Sequence, residues 1–251
     1  MRAPTLLPVL LFPLLSAAAP PPAVTVRAYP PEIRMSAGYH GASVAVRGRV
    51  PPGCEVAVIL SSPLAGEAWP RRSKHGPFWI TTGAVRFEGV PWLYQIRTSR
   101  PLAELLPPSR QAALGLGAPG LKATVGVRPS QNRDLYIEEL IRARSAAGFY
   151  DLGGGGLTLS PSGEFRTAFT WPASAPPGRY EVKALALREG HRVGEAALTI
   201  RLRKVGAEAW ISDLAARHAW LYGLLSVLVA VLAGLAAGWL FRAPGTRKAT
   251  G

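Results

Sequence analysis

Two residue types that often stabilise or modify exported proteins are almost missing from this chain of 251 residues. Cys54 is the only cysteine, so no disulfide can form within the chain, and the fold must depend on its own core. The only asparagine, Asn132, is followed by Arg133 and Asp134, so the sequence has no acceptor site for N-linked glycans. Arginine outnumbers lysine by 24 to 5, which is typical of a GC-rich bacterial genome. These features favour a bacterial protein over a eukaryotic surface protein.

The sequence also lacks the common motifs of catalytic and metal sites. Gly-x-Ser-x-Gly and His-Glu-x-x-His are absent, and the four histidines (His40, His75, His191 and His218) show no metal-ligand spacing. The glycine run at 153–156 is not followed by Lys-Ser/Thr, so we predict a mobile hairpin tip there instead of a phosphate-binding loop. We therefore expect no cofactor, no metal and no enzymatic activity. An enzyme whose histidines meet carboxylates only in the folded chain stays the third alternative.

Formal charge is absent from the 23 residues 219–241. A helix of that length is about 34 Å long, against a hydrocarbon core of about 30 Å, so the segment predicts a transmembrane helix. Trp220, Tyr222 and Trp239 lie near its two ends, where aromatic rings prefer the level of the lipid headgroups. The alternative is a buried core helix, which rarely runs this long without a polar face.

The other end of the chain predicts export. Residues 1–18 combine an early arginine, a short apolar run and small residues, which is the layout of a secretory signal peptide cleaved after Ala18. Retention as a second membrane anchor is the weaker interpretation, because Pro8 and Pro13 would break a long helix. Residues 19–23 then form a proline-rich linker. The basic residues in the tail at 242–251 predict a cytoplasmic C-terminus and a periplasmic N-terminus in a bacterial inner membrane.

The predicted exported part is basic. Between the signal peptide and the span lie 25 basic and 15 acidic residues, a net charge of +10. Such a domain attracts anionic headgroups or anionic solutes, whereas nucleic acid is not an expected partner outside the cell. The alternative is a solvated basic surface that merely reflects arginine-rich codon usage.

Residues 24–205 show mainly the period-two alternation of half-buried strands. Short alternating runs separated by glycine and proline predict an immunoglobulin-like antiparallel β-sandwich with short helices, followed by one C-terminal transmembrane helix. Tyr180, which follows a Pro-Pro-Gly turn, is expected to tie down the corner of that sandwich. Strands are predicted at 24–28, 43–47, 56–60, 78–81, 84–88, 93–98, 121–127, 164–171, 180–188 and 192–203.

Two segments of the predicted ectodomain have helical periodicity instead. Residues 133–147 place apolar side chains at helical spacing and predict an amphipathic helix that ends near Gly148. Residues 206–218 predict a juxtamembrane amphipathic helix that lies on the outer leaflet.

Residues 69–102 are rich in arginine and aromatic side chains. Guanidinium groups stack on rings and still bind oxyanions, so this composition suits an anion site or a protein interface. The alternative is that the aromatic residues belong to the core and the arginines are solvated. The candidate partner-facing or anion-binding residues are Arg71, Arg72, Lys74, Trp79, Trp92, Tyr94, Arg97 and Arg100.

The predicted span carries a stripe of small side chains at every fourth position, Ser226, Ala230, Gly234 and Gly238. Small residues at this spacing let a second helix approach closely, so the stripe predicts helix packing in the membrane. The alternative is that the stripe faces lipid.

Short motifs between residues 24 and 241 carry a resemblance to a known family. They are Arg71, Arg72, Lys74, Phe78-Trp79-Ile80, Val85-x-Phe87, Val90-Pro91-x-x-Tyr94, Ser99-Arg100-Pro101, Phe165, Pro177-x-x-Tyr180, Lys204-Val205-Gly206, Trp210 and Leu221-Tyr222-Gly223. In these motifs the chain resembles a family of bacterial single-span transmembrane proteins known mainly from alphaproteobacteria. The resemblance covers most of the chain between residues 24 and 241. It implies an accessory subunit of a multi-span permease, since members are often encoded beside sulfite-exporter-type permeases, which suggests sulfur-oxyanion transport. A structural envelope protein that binds anionic lipid or cell-wall polyanions is the alternative function.

Overall fold

The computed structural model of the chain describes residues 24–36, 38–206, 215 and 217–240. The predicted signal peptide, linker and cytoplasmic tail, and most of the predicted juxtamembrane helix, lie outside the described residues. The strands are β1 Thr25–Tyr29, β2 Glu32–Met35, β3 Ala42–Arg49, β4 Glu55–Ser61, β5 Leu64–His75, β6 Phe78–Pro91, β7 Tyr94–Thr98, β8 Gly126–Arg128, β9 Tyr150–Asp151, β10 Thr158–Leu159, β11 Glu164–Trp171, β12 Gly178–Arg188 and β13 His191–Lys204. The helices are α1 Leu102–Leu105, α2 Pro108–Ala113, α3 Gly117–Thr124, α4 Arg133–Ala146 and α5 Ala219–Leu240.

The strands form two packed sheets and a smaller third one. Sheet A has the order β1-β3-β11-β10, sheet B has the order β2-β13-β12-β4-β7-β9, and the third sheet has the order β5-β6-β8. All pairs are antiparallel except β2 with β13 and β7 with β9. The prediction of a mainly β sandwich with short helices and one C-terminal apolar helix is therefore confirmed.

The core between sheets A and B follows from the alternation of the strands. In β11 every second side chain is buried, which places Phe165, Phe169 and Trp171 inside. Tyr180 packs edge-on against Trp171, with the ring centroids 5.7 Å apart. Its hydroxyl donates a hydrogen bond to the carbonyl oxygen of Pro176 over 2.8 Å. The corner predicted at Tyr180 is therefore present.

A second core covers the outer face of sheet B. Ala57 and Ile59 of β4 and Leu185 and Leu187 of β12 belong to it, together with buried side chains of β6 and of the short helices α1, α3 and α4. Because β4 is covered on both faces, residues 56–60 are all buried and read as a continuous apolar run.

The region after β7 departs most from the prediction. The strand predicted at 121–127 is wrong, because α3 occupies its first part and only Gly126–Arg128 pairs, as β8, with β6. Burial of Leu121 and Val125 in the second core stabilises the helical turn. The strands predicted at 78–81 and 84–88 form the single strand β6, and its partner β5 was not predicted. The helix predicted at 133–147 is confirmed as α4.

The glycine run also lies elsewhere than predicted. The backbone amide of Gly155 donates a hydrogen bond to Oγ1 of Thr98 over 2.7 Å. The backbone amide of Thr98 donates a hydrogen bond to the carbonyl oxygen of Gly155 over 3.2 Å. Gly154 has a φ of 72°, in the left-handed region that favours glycine. The glycines therefore lie against the end of β7 instead of forming a free hairpin tip.

Helix α5 agrees with the predicted span of residues 219–241. Within the described residues it is the one helix long and apolar enough to cross a membrane, over Tyr222–Trp239. None of that window is buried against the rest of the described chain. The chain therefore has one candidate membrane span at its C-terminal end.

Candidate functional site

The long hairpin of β5 and β6 has an exposed outer part. Its two strands pair from Leu64 with Pro91 out to His75 with Phe78, where Gly76 completes the turn. We call the two packed sheets with their short helices the body of the domain. Where β6 is close to the body, Val85 and Phe87 are buried in the second core. From Ala84 outward to Phe78 every residue of β6 is exposed. Seven strand residues span roughly 23 Å, so this part of the hairpin is a ribbon that projects from the body.

We call residues 71–84 the hairpin tip. Three consecutive apolar side chains are solvent-accessible there, with exposed fractions of 71% for Phe78, 67% for Trp79 and 45% for Ile80. Arg71 and Lys74 lie on the partner strand and are also exposed. No acidic residue occurs between Glu67 and Glu88, so the tip is apolar and basic at once.

The register brings half of the predicted candidates together. Lys74 lies directly opposite Trp79, and Arg71 and Arg72 lie opposite Gly83 and Thr81. Of Arg72 the structure describes only the backbone. Arg71, Arg72, Lys74 and Trp79 therefore share one element, the hairpin tip.

The two aromatic candidates outside the tip pack into the body. Tyr94 is 5% exposed, and its hydroxyl donates a hydrogen bond to the carbonyl of Gly115 over 2.6 Å. Burial raises the pKa of Tyr94 well above its usual value. Trp92 is half-buried and stacks on Phe149, with 4.0 Å between the ring centroids. Tyr94 thus lies in the core, as the alternative interpretation of residues 69–102 held.

The remaining two candidates are occupied by carboxylates. Arg97 forms an ion pair with Asp151 at 2.5 Å, and its guanidinium lies over the ring of Phe169. Its side chain is only 18% exposed. Arg100 forms an ion pair with Glu55 at 2.9 Å. Both cations are neutralised on the body of the domain, so the structure separates them from the four candidates at the hairpin tip.

The hairpin leaves the sandwich at the same end as the strand that leads to α5. Glu181 of β12 lies opposite Ser61, the last residue of β4, and opposite Thr199 of β13. β4 ends there and β5 begins three residues later, while β13 ends at Lys204 in the same direction. The root of the hairpin and the exit of the chain toward the candidate span therefore share one end of sheet B.

The small-residue stripe of α5 is open. Ser226 turns its hydroxyl back to the carbonyl of Tyr222 over 2.8 Å, which satisfies it within the helix. A methyl group added at Gly234 or Gly238 would meet no atom within 4 Å. With Ala230, these positions leave room for a second helix along one face, and the predicted packing role stays a prediction.

Sequence reasoning missed Phe78 and Ile80 as companions of Trp79 at an exposed tip. The sequence does contain a signal for this exposed tip. Three large apolar residues follow each other directly after Gly-Pro, whereas a half-buried strand alternates apolar and polar residues. Among the residues that the structure describes, no group of three His, Cys, Asp or Glu side chains could hold a metal ion. Cys54 is buried.

Comparison with known proteins places the chain among membrane proteins. No curated protein matches the sequence. One solved structure to which the chain is similar is AggA, the major subunit of aggregative adherence fimbriae type I from Escherichia coli, at 10% identity and a TM-score of 0.27. That match covers 75% of this chain and 98% of the fimbrial subunit. The model of the family described as "Putative transmembrane protein (Alph_Pro_TM)" matches residues 23–243, nearly the whole sequence. The chain therefore belongs to this transmembrane protein family.

Proposed function

We propose that the chain is a non-enzymatic accessory subunit of a multi-span permease in a bacterial inner membrane. In this proposal the sandwich stands in the periplasm and α5 crosses the membrane once. The basic residues Arg242, Arg247 and Lys248, beyond the span, support a cytoplasmic C-terminus. The resemblance noted from the sequence supports a permease for sulfur oxyanions as the partner.

The observation that carries the proposal is the uncovered hairpin tip. Phe78, Trp79 and Ile80 expose large apolar surfaces beside Arg71 and Lys74, and no described residue covers them. Aromatic and arginine side chains are enriched at the centres of protein interfaces. The hairpin that carries the tip starts at the end of sheet B that leads to the membrane helix. A membrane protein beside α5 is thus the nearest partner that the tip would reach.

The small-residue stripe of α5 supplies a second contact in this proposal. Gly234 and Gly238 leave space for a neighbouring helix, and close backbone approach favours helix association in lipid. A tip contact outside the membrane and a helix contact inside it would act as one linked pair, which raises the affinity of both.

The test is affinity purification of the full-length chain from its native membrane. Mass spectrometry then identifies the proteins that co-purify with it. Trp79→Ala should reduce recovery of the permease, whereas Tyr29→Ala, at an even more exposed aromatic residue on β1, should not. Gly234→Ile with Gly238→Ile should also reduce recovery while the ectodomain stays folded. Unchanged recovery in both variants would contradict the proposal.

The second candidate function is a structural envelope protein that binds anionic lipid or cell-wall polyanions. The absence of acidic residues between Glu67 and Glu88 favours it, because the tip would meet no repulsion at an anionic surface. Salt separates the two candidates. Binding that disappears at roughly 0.5 M salt indicates electrostatic attachment, while a detergent-stable complex that survives indicates a protein partner.

A further inference from the structure

Three arginines form one continuous row across sheet A. Arg27 of β1 lies directly opposite Arg47 of β3, and Arg47 lies directly opposite Arg166 of β11. Thr158 of β10 continues the row beyond Arg166. Side chains of directly opposite residues point to the same face of a sheet, and all three arginines are exposed. We call Arg27, Arg47 and Arg166 the arginine row.

Within the described residues, no carboxylate pairs with any member of the arginine row. The nearest acidic neighbour in the register, Glu164, is two residues along β11 and is held by Arg49 at 2.6 Å. The other arginines that face each other across strands have a carboxylate beside them. Arg128, opposite Arg86, forms an ion pair with Glu88 at 3.4 Å.

The pair of Arg179 and Arg201 on sheet B also has an acidic neighbour, because Arg201 lies opposite Glu32 on β2. Like charges directly opposite each other destabilise a sheet. The arginine row therefore holds three positive charges together without an internal counter-charge, which is unfavourable unless an external anion provides it.

The surface along the row is concave. A cavity of about 570 Å³ is lined by Thr25, Glu164, Arg49 and the arginine row, among others. A second cavity of about 450 Å³ shares Arg27 and Arg47 with the first and is bounded by Tyr29 and Ala45. The two cavities meet at the arginine row. Ala45 and Ala168 lie directly opposite each other beside the row, and their small side chains leave the sheet surface there uncovered.

Strand spacing sets how far apart the guanidinium groups start. Neighbouring strands lie about 4.8 Å apart, so the row offers three forked donors at intervals of about 5 Å. A single small oxyanion can engage one or two of them. A chain that carries several oxyanion groups can engage all three, and each fork binds two oxygens of a carboxylate, sulfate or phosphate.

We propose that the arginine row binds an extended polyanionic glycan. We call the two adjoining cavities the trough. Tyr29, with 79% of its surface exposed, lines the second cavity and offers a flat face to a sugar ring. It is the only large apolar side chain among the residues lining the two cavities that is exposed, so the trough lacks the aliphatic anchors that insertion into a bilayer requires. The choice of a glycan rests on the periplasmic location proposed above, but not on the partner of the hairpin tip.

The experiment measures binding to the full-length chain in nanodiscs of zwitterionic lipid, by calorimetry at about 0.15 M salt. The probes are carboxylated oligogalacturonate, sulfated heparin oligosaccharide and a neutral dextran fragment. The anionic oligosaccharides should bind and the neutral one should not. Arg47→Gln, at the centre of the row, should weaken binding by about tenfold or more, since hydrogen bonds to charged groups are among the stronger ones.

Two controls separate this site from general attraction to a basic protein. Arg192→Gln removes one charge from β13, where Arg192 pairs with Glu195, and should change the affinity by less than about twofold. Tyr29→Ala should weaken oligosaccharide binding but leave any binding of inorganic phosphate unchanged, because a phosphate ion offers no ring to stack on.

Equal losses in Arg47→Gln and Arg192→Gln would overturn the proposal, because they would indicate non-specific charge attraction. Binding to anionic vesicles or to an oligodeoxynucleotide without binding to the anionic oligosaccharides would overturn it as well. Arg47→Gln should leave recovery of the permease partner unchanged, so failure of the glycan site and failure of the accessory role are read from different measurements.

Discussion

Arg144 of α4 donates to the carboxylate of Glu67 in β5 over 2.5 Å, and only 13% and 30% of the two side chains are exposed. The indole nitrogen of Trp69 donates to the same carboxylate over 2.6 Å. The guanidinium of Arg144 also lies over the rings of Trp92 and Phe149. The base of the long hairpin is therefore fixed to a helix of the body, so the hairpin tip projects from a rigid support.

Arg144→Met should lower the free energy of unfolding by about 1–3 kcal/mol, because it leaves a half-buried carboxylate without its cation. Methionine keeps much of the apolar stem, so the loss reports the charge. Urea unfolding measures it. Arg142→Met is the matched control, since Arg142 pairs with Glu139 at the exposed surface of the same helix. Equal losses in both variants would contradict the anchoring role of Arg144.

Tyr180→Phe should cost about 1 kcal/mol, because it removes one buried hydrogen bond, to Pro176, and leaves the ring in place. Thermal unfolding followed by circular dichroism measures the change. Tyr29→Phe removes a hydroxyl from a ring that is 79% exposed and should have little effect. A Tyr180→Phe variant as stable as the parent would show that packing alone holds the corner.

Stability should fall at alkaline pH. Burial raises the pKa of Tyr94, Tyr150 and Tyr180 in the folded chain, whereas in the unfolded chain a tyrosine ionises near pH 10. The unfolded state thus loses protons first, and the stabilisation is complete below about pH 10 and declines above it.

The decline can reach about 1.4 kcal/mol per pH unit for each buried tyrosine. Thermal melts between about pH 8 and pH 11 measure it, and Tyr180→Phe should reduce the slope, because one buried tyrosine no longer titrates. An identical slope in the variant would contradict the contribution of Tyr180.

Gly154→Ala should destabilise the domain by about 1–3 kcal/mol. Its φ is 72°, and an added methyl group would lie 2.4 Å from Oγ1 of Thr98. Gly153→Ala is the matched control, since nothing lies within 4 Å of a methyl group there. Denaturant unfolding of the two variants compares them, and equal stability would mean that the glycines do not pack against β7.

Arg47→Gln should make the ligand-free protein more stable by about 0.2–1 kcal/mol, because it relieves repulsion from Arg27 and Arg166. For a domain of this size the melting temperature should rise by about 1–3 °C at low salt. The gain should shrink as salt is added, since salt screens exposed charges. A lower melting temperature at every salt concentration would contradict repulsion within the row.

Local patterns were sufficient for the parts of the fold that depend on one strand or one helix. The alternation of β11 predicts its buried face, the Pro-Pro-Gly turn predicts the corner at Tyr180, and the uncharged run predicts α5. The strand predicted at 121–127 failed because burial in the second core selected a helix for residues whose local pattern suggests a strand. β5 was missed because Pro70 and several basic residues interrupt its pattern.

The candidate site could be predicted only in part, for a related reason. Trp79 and Tyr94 lie on β6 and β7, which follow each other along the chain, and have similar local composition, yet one is 67% exposed and the other 5%. The difference comes from the short helices that cover β7, and these are not visible in the sequence around Tyr94. The arginine row depends on the register of β1, β3 and β11, and β11 is far from the other two strands along the chain. Each arginine alone is an ordinary outward residue of a half-buried strand.

The position of β13 has a mechanical consequence. Any pull on the membrane helix enters the sandwich at the C-terminal end of β13 and runs along the strand axis. Eleven residue pairs join β13 to β12 and four join it to β2, so its neighbours share the load in shear. Because inter-strand hydrogen bonds run across the strands, such a pull strains many of them together instead of opening them one by one. The sandwich is thus attached to the membrane helix by a strand that resists extraction under such a pull.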